Sequence, residues 1–468
     1  MSLLHPDRLF PANPASRDIA RDLFQSVQNV PIISPHGHTD PRWYAEDAAF
    51  TNASDLLLVP DHYVLRMLVS QGVKLEDLGV APLDGGAYAR DPRKIWQLFA
   101  AHYHLFAGTP TRLWMDHTFQ SLFGMQDRLT PANADLYFDT INESLTQPEF
   151  RPRALFQRFN IEVISTTESA LDDLRWHQMI KDSGWNGRVV TTYRPDSVTD
   201  PDFEGFAANL DTFGDLTGCD TGTWQGYLDA HRARRAFFKT HGATASDHGH
   251  PSAQTANLDA ASAAALYGRI RTGRADAADR ALFRAQMLTE MAKMSRDDGL
   301  VMQLHVGSSR NHAAGIFQRF GRDKGFDIPA RASFTAELQP LLDVVGLDPS
   351  VTIILFTLDE SNYTRELAPL AGAYPALRLG PAWWFHDSAE GMRRYRQMVT
   401  ETAGFYNTVG FNDDTRAFPS IPARHDVARR VDAAFLADLV ADHRLDMNEA
   451  EGLMQDLTYG LAKKTYRL

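Results

Sequence analysis

"VTIILFT", residues 351–357, is apolar or β-branched at every position. A strand with one wet face alternates polar and apolar side chains. An unbroken run of this length therefore predicts a strand covered on both faces, the condition of a parallel sheet. Working outward, comparable runs occur at "VPIISPH" (30–36), "IEVISTT" (161–167), "RVVTTYR" (188–194), "ATASD" (243–247), "LVMQLHV" (300–306), "ALRLG" (376–380) and "NTVGFN" (407–412). Segments with helical apolar spacing lie between them: "SALDDLRWHQMIKDSG" (169–184), "GTWQGYLDAHRARRAFFKTHG" (222–242) and "ASFTAELQPLLDVVG" (332–346). Each ends on a helix-stopping glycine, and in the second Trp224, Leu228 and Phe238 share a buried side. Strands alternating with helices in this way predict an α/β chain folded as a TIM-like (β/α)8 barrel, with an open doubly wound sheet as the competing arrangement.

The gap between the first two strands, residues 37–160, far exceeds one crossover helix. Helical spacing recurs there in "DHYVLRMLVSQGV" (61–73), "DPRKIWQLFAAHYHLF" (91–106) and "TPTRLWMDHTFQSLFG" (109–124). We read residues 1–38 as an N-terminal segment with the first barrel strand and residues 39–150 as a helical insertion over one end of the barrel, a substrate wall or lid. Residues 151–468 form the remaining barrel, with a polar loop at 245–257 and closing helices over 424–444 and 448–466.

Composition narrows the function. Asp plus Glu (59) exceed Lys plus Arg (47) in 468 residues, and no basic block occurs, which argues against a nucleic-acid partner. An anionic small molecule must then be met by individual arginines. No apolar stretch is long enough for a membrane span, and the N-terminal residues lack a basic region followed by an apolar one, so a cytoplasmic enzyme is expected. The single cysteine, Cys219, excludes an intrachain disulfide and a cysteine-rich zinc site and reads as incidental. The oligomeric state, a homo-oligomer included, is left open.

Chemistry-bearing residues collect where strands end. His36 and His38 follow the first strand at i and i+2, the spacing that puts two imidazoles on one face of an extended chain. His305 comes late in "LVMQLHV", where a solitary histidine reads first as a packed core residue. Arg194 follows "VVTTY", Asp247 and His248 follow "ATA", and "GFNDDTR" places Asp413, Asp414 and Arg416 after the last strand. Barrel active sites lie at the C-terminal strand ends. Imidazole and carboxylate donors suit one divalent metal, zinc or else manganese. A lysine bridging two metals is not expected, because Lys239 falls in a helical stretch.

These stretches, read in order, resemble the uronate isomerases, an isomerase branch of the amidohydrolase superfamily. The resemblance is carried by "HGH" (36–38), "DHYVLRML" (61–68), "YRPD" (193–196), "SDHG" (246–249), "MQLHVGSSRNH" (302–312), "WWFHD" (383–387) and "DTRAFPSIPARHDVARR" (414–430). It implies a distorted (β/α)8 barrel that interconverts D-glucuronate with D-fructuronate and D-galacturonate with D-tagaturonate. It further implies that His36, His38 and Asp414 hold the metal and that His305 lies close to metal or substrate. Tyr63 would reach in from the insertion beside His62. Arg194, Asp247, Arg310, Trp383 and Arg416 would line the pocket. Two departures stand out. "NDDTR" doubles the acid, so Asp413 competes with Asp414, which the Asp-x-Arg spacing selects; "FHD" stands where an asparagine is usual, leaving the part of His386 undefined.

Such a reaction passes through an enediol. Asp414, or a water it orients, would carry the proton, Arg416 would stabilise the oxyanion, and Tyr63 would serve the enediol oxygens. Arg194 and Arg310 would hold the C6 carboxylate, with a tryptophan as a flat wall. The competing readings are a metal-dependent amidohydrolase acting on a small acidic substrate and a sugar-acid binding protein without catalysis.

Overall fold

The structure, a computed structural model, describes residues 3–468. Seven strands form one parallel sheet: β1 (Ile32–Ser34), β2 (Ile161–Ser169), β3 (Arg188–Arg194), β4 (Ala245–His250), β5 (Val301–Val306), β8 (Ile353–Thr357) and β9 (Leu377–Leu379). Two short strands, β6 (Ser308–Ser309) and β7 (Ile328–Pro329), pair antiparallel as a separate hairpin. The seven neighbour one another in sequence order. A doubly wound sheet would reverse that order, so the open alternative is excluded and the sheet curls as a barrel. All residues of β5 and β8 are buried, as strands packed on both faces must be.

The expected eighth strand over 407–412 does not form. Its place is taken by one parallel bridge, Leu379 to Thr408, with Leu379 N–H donating to Asn407 O at 2.8 Å and Val409 N–H to Leu379 O at 3.1 Å. Gly410 ends the extended run at φ 77°, and a Cβ there would stand 2.9 Å from Leu457 O in the closing helices. From this segment the ring reaches β1 through a backbone bond from His38 N–H to Thr415 O at 3.0 Å. The barrel is closed, and distorted at this seam. Where its strands begin, Ala245, Val301, Ile354 and Tyr466 pack together, and the Tyr466 hydroxyl donates to Gln303 Oε1 at 3.1 Å.

Helices fill the stretch between β1 and β2, among them His62–Val69, Pro92–His102, Pro110–Ser121 and Ala134–Leu145. Asp61, Asp91 and Thr109 cap the first three with side-chain oxygens, and proline opens the second and third. Their apolar faces gather around Leu65, Trp96, Phe99, Phe119 and Ile141 in a cluster that also takes in Ile32 and Ile161 of the barrel.

Three expected boundaries shift. The helix expected over 169–184 shrinks to Arg175–Asp182, because β2 runs on to Ser169 and Leu174 takes a left-handed conformation at φ 54°. That over 332–346 shrinks to Gln339–Val345, because the Glu366 carboxylate holds the Phe334 and Thr335 N–H groups at 2.6 and 2.7 Å in a loop. The polar loop expected from 245 begins later, since β4 stays paired with β5 as far as His250–Val306. Trp224 of the helix Trp224–Thr240 is only half-buried, while Leu228 and Phe238 are buried. No helix among the described residues is long and apolar enough to cross a membrane.

Candidate active site

A cavity of about 320 Å³ opens at the C-terminal ends of the strands. It is lined by His36, His38, His62, Tyr63, Arg194, Asp247, His305, Arg310, Trp383, Asp414 and Arg416, the residues expected to hold metal or substrate, while His248, also singled out above, lies outside it. Period-two alternation explains much of this. On β4, Asp247 and Gly249 face the cavity while His248 and His250 pack behind the strand; on β2, Thr167 and Ser169 face in and Glu168 faces out.

His36 and His38 leave β1 with their rings 5.3 Å apart and nearly perpendicular. Their Nε2 atoms lie 3.6 and 3.3 Å from Asp414 Oδ1. Asp414 stands at φ 38°, a left-handed backbone that turns its carboxylate toward the two rings. Trp383 Nε1–H donates to its other oxygen at 2.7 Å. Burial pushes both imidazoles down, His38 to about 3, so each is neutral with a lone pair available. Burial also raises the Asp414 carboxyl, but His36, His38 and His305 more than offset this and hold it below the ordinary carboxylate range. Two neutral imidazoles and an ionised carboxylate, all donor atoms within 4.8 Å of one another, match the three-ligand set of a catalytic divalent site.

A second set, His36, Asp247 and His305, is equally compact but fits worse. Asp247 Oδ1 already accepts from His305 Nδ1 at 2.6 Å, and Oδ2 lies 3.1 Å from Arg194 Nη1. Arg194 beside that carboxylate repels a further cation. The buried Asp247 therefore holds two neighbours in place. It fixes His305 with Nε2 as an acceptor that has no partner among the described residues, its ring stacked on His36 and on Phe356.

The arginines are anchored on acids. Arg194 Nε–H donates to Asp196 Oδ2 at 2.8 Å, and Arg310 Nη1–H to Asp327 Oδ2 at 3.2 Å. Their Nη2 groups converge over Gly249: a Cβ there would stand 2.5 Å from Arg194 Nη2 and 3.1 Å from Arg310 Nη2. Arg416 pairs with Asp323 Oδ2 at 3.1 Å, on the loop between β6 and β7. His62 packs against Tyr63 and edge-on against Trp384, and burial followed by the Arg416 charge pushes its ring down to about 3.

Sequence reasoning missed Asp323, Asp387, Arg424 and Gly249. The last three lie inside stretches quoted above, yet a contact such as Tyr63 to Asp387 joins distant segments and leaves no local signal. His386 is turned away from the cavity, its Nε2 3.0 Å from the Tyr363 hydroxyl, whereas the adjacent Asp387 lines it. Asp413 is occupied by His425 Nε2 at 3.1 Å, and Asp414 is the acid that meets the imidazoles.

A family model described as glucuronate isomerase matches residues 13–466. The chain is 68% identical over 468 residues to the uronate isomerase of Mesorhizobium japonicum, with 100% of both chains covered. Crystal structures of glucuronate isomerase from Caulobacter crescentus (57% identity, TM-score 0.98, 100% and 98% of the two chains covered) and uronate isomerase from Thermotoga maritima (26%, 0.92, 99% and 99%) share its fold.

Proposed function

The chain belongs to the glucuronate isomerase family, and from that premise we propose that the cavity isomerises hexuronates between aldose and 2-ketose. D-glucuronate gives D-fructuronate, and D-galacturonate gives D-tagaturonate. The observation that carries this reading is the cavity's two chemistries. His36, His38 and Asp414 meet at one point, and two guanidinium Nη2 groups converge over Gly249. A hexuronate has a carbonyl to be polarised at one end and a carboxylate to be held at the other.

A divalent ion on His36, His38 and Asp414, zinc before manganese for this donor set, would supply Lewis-acid polarisation of the carbonyl and the neighbouring hydroxyl. The remaining work falls to the chain. Arg194 and Arg310 bind the C6 carboxylate, oriented by Asp196, Asp247 and Asp327. Asp414, or a water it orients, takes the C2 proton and returns it to C1 on the same face. Arg416 stabilises the negative charge that grows on oxygen as the enediol forms. Tyr63 and His62 attend the sugar oxygens from the helix His62–Val69, and Trp383 fixes Asp414 while forming a wall. His305 presents Nε2 to the reacting end. A lone cysteine suits a cytoplasmic setting.

A hydrolase on the same barrel would consume water and release a leaving group, and the family match carries the isomerase reading instead. The test is incubation of metal-replete protein with D-glucuronate in deuterated water. The expected result is fructuronate, carrying deuterium at C1 to the extent that the base exchanges with solvent. Absence of any ketose would overturn the reading.

A further inference from the structure

Tyr63 is the second residue of the helix His62–Val69, placed there by the Asp61 cap, which accepts from the Tyr63 N–H at 2.8 Å. Its hydroxyl donates to Asp387 Oδ2 at 2.6 Å. The same oxygen accepts from Arg424 Nη1 at 3.1 Å, and Arg424 also donates to Asp413 O at 3.2 Å while lying 3.6 Å over the Trp114 ring. All three side chains are buried and all three line the cavity. They come from three separate places: the helices between β1 and β2, the loop after β9, and the helix Ile421–Ala441.

A phenol has one proton, and here it is committed to Asp387. What Tyr63 turns toward the cavity is therefore an oxygen lone pair, an acceptor and not a donor. Asp387 keeps capacity in reserve, since its Oδ1 is buried without a partner among the described residues. Arg424, pinned on two further groups, keeps the carboxylate in place.

We propose that Asp387, clamped by Arg424, is the positioning residue and proton partner of Tyr63. The proposal rests on the assignment of Tyr63 to the substrate oxygens made above. Aldose-to-ketose conversion moves one hydrogen from C2 to C1 and one proton from O2 to O1. The carbon transfer belongs to Asp414. For the oxygens, the O2 proton passes to the Tyr63 oxygen as the Tyr63 proton passes to Asp387 Oδ2. The reverse shift then delivers a proton to O1, leaving phenol and carboxylate as they began. One O–H bond breaks at O2 and one forms at O1, with no outside donor.

The test compares Y63F, D387N and the double variant on D-glucuronate, with metal content measured in each. Y63F and D387N should each lower kcat about 100-fold with KM changed by less than about threefold, and the double variant should be no slower than Y63F. Multiplying losses in the double variant would overturn the proposal, as would a D387N enzyme near the wild-type rate beside a slow Y63F. Wild-type turnover by Y63F would instead remove the assignment of Tyr63 itself, and the proposal with it. Should D387N fail to melt cooperatively, D387A with added formate replaces it. Recovery of turnover in the Tyr63 background and not in Y63F supports the proposal; recovery in both, or in neither, overturns it.

Discussion

Gly249 shows how far one hydrogen atom in place of a methyl group matters at this site. A Cβ would press on Arg194 Nη2, Asp196 Oδ2 and Arg310 Nη2 within 2.5–3.1 Å. None can retreat freely, because Arg194 is already fixed by Asp196 and Asp247, and Arg310 by Asp327. G249A should therefore raise KM for glucuronate at least about tenfold, the loss of one good charge-assisted contact, while bound metal stays at the wild-type level. Steady-state kinetics beside metal analysis check this, and an unchanged KM would detach the arginine pair from the carboxylate. A second contrast separates the adjacent acids. D414N should lose metal, whereas D413N, which alters the partner of His425, should keep it. The sequence made the candidate ligands legible as a group because His36 and His38 obey the two-residue repeat of a strand and Asp414 sits two places from Arg416. Asp387 and Asp323 were not legible, since their roles rest on partners far along the chain, Tyr63 and Arg416.

At the scale of elements, β2 and β3 carry a buried polar cluster on the face away from the cavity. Glu168 Oε2 accepts from the Thr191 hydroxyl and lies 3.8 Å from His177 Nε2, which is itself 2.9 Å from the Thr166 hydroxyl. Burial, with Asp172 and Asp40 adding repulsion against the help of Thr191 and Thr166, pushes the Glu168 carboxyl up to about 8. The folded value exceeds the unfolded one, so the native chain holds the extra proton between roughly pH 4.5 and pH 8. The associated stability is complete below that window and is lost as pH rises through about 8. E168Q, which stays neutral, should lose less stability than wild type between pH 5 and pH 9 in urea unfolding, and identical pH slopes would refute the assignment. This cluster binds the helix Arg175–Asp182 to the sheet, and its neighbourhood is where element boundaries were hardest to read. Buried runs announced seven strands correctly because burial on both faces writes itself into most of their residues, and in β5 and β8 into all of them. The eighth failed at Gly410, and the helix expected from 332 begins only at Gln339 because Glu366, in another segment, captures the N–H groups of Phe334 and Thr335. Tertiary partners decided both.

For the whole molecule the seam between β1 and residues 407–415 is decisive. β1 has three residues, and its register with β2 is irregular between Ile32 and Ile33. Across the seam the backbone contributes the His38–Thr415 bond, reinforced by Arg429, whose guanidinium donates to Val27 O and Val30 O just before β1. The candidate metal ligands straddle this same line, His36 and His38 on one side and Asp414 on the other. A cation held by all three would therefore cross-link the barrel where its hydrogen-bond ladder is thinnest. Because the unfolded chain separates Asp414 from His36 and His38 by hundreds of residues, binding would favour the native state by about 2.7 kcal/mol when free metal is a hundredfold above its Kd. Chelation should accordingly lower the melting temperature of the wild-type protein, and zinc should restore it. D414N should melt at one temperature with or without metal. Hydrogen exchange localises the effect: on metal removal, protection should fall first at residues 32–38 and 407–415, with β5 and β8 unchanged. Uniform loss across the barrel, or a D414N variant still stabilised by zinc, would show that the cation does not act as the clasp of this ring.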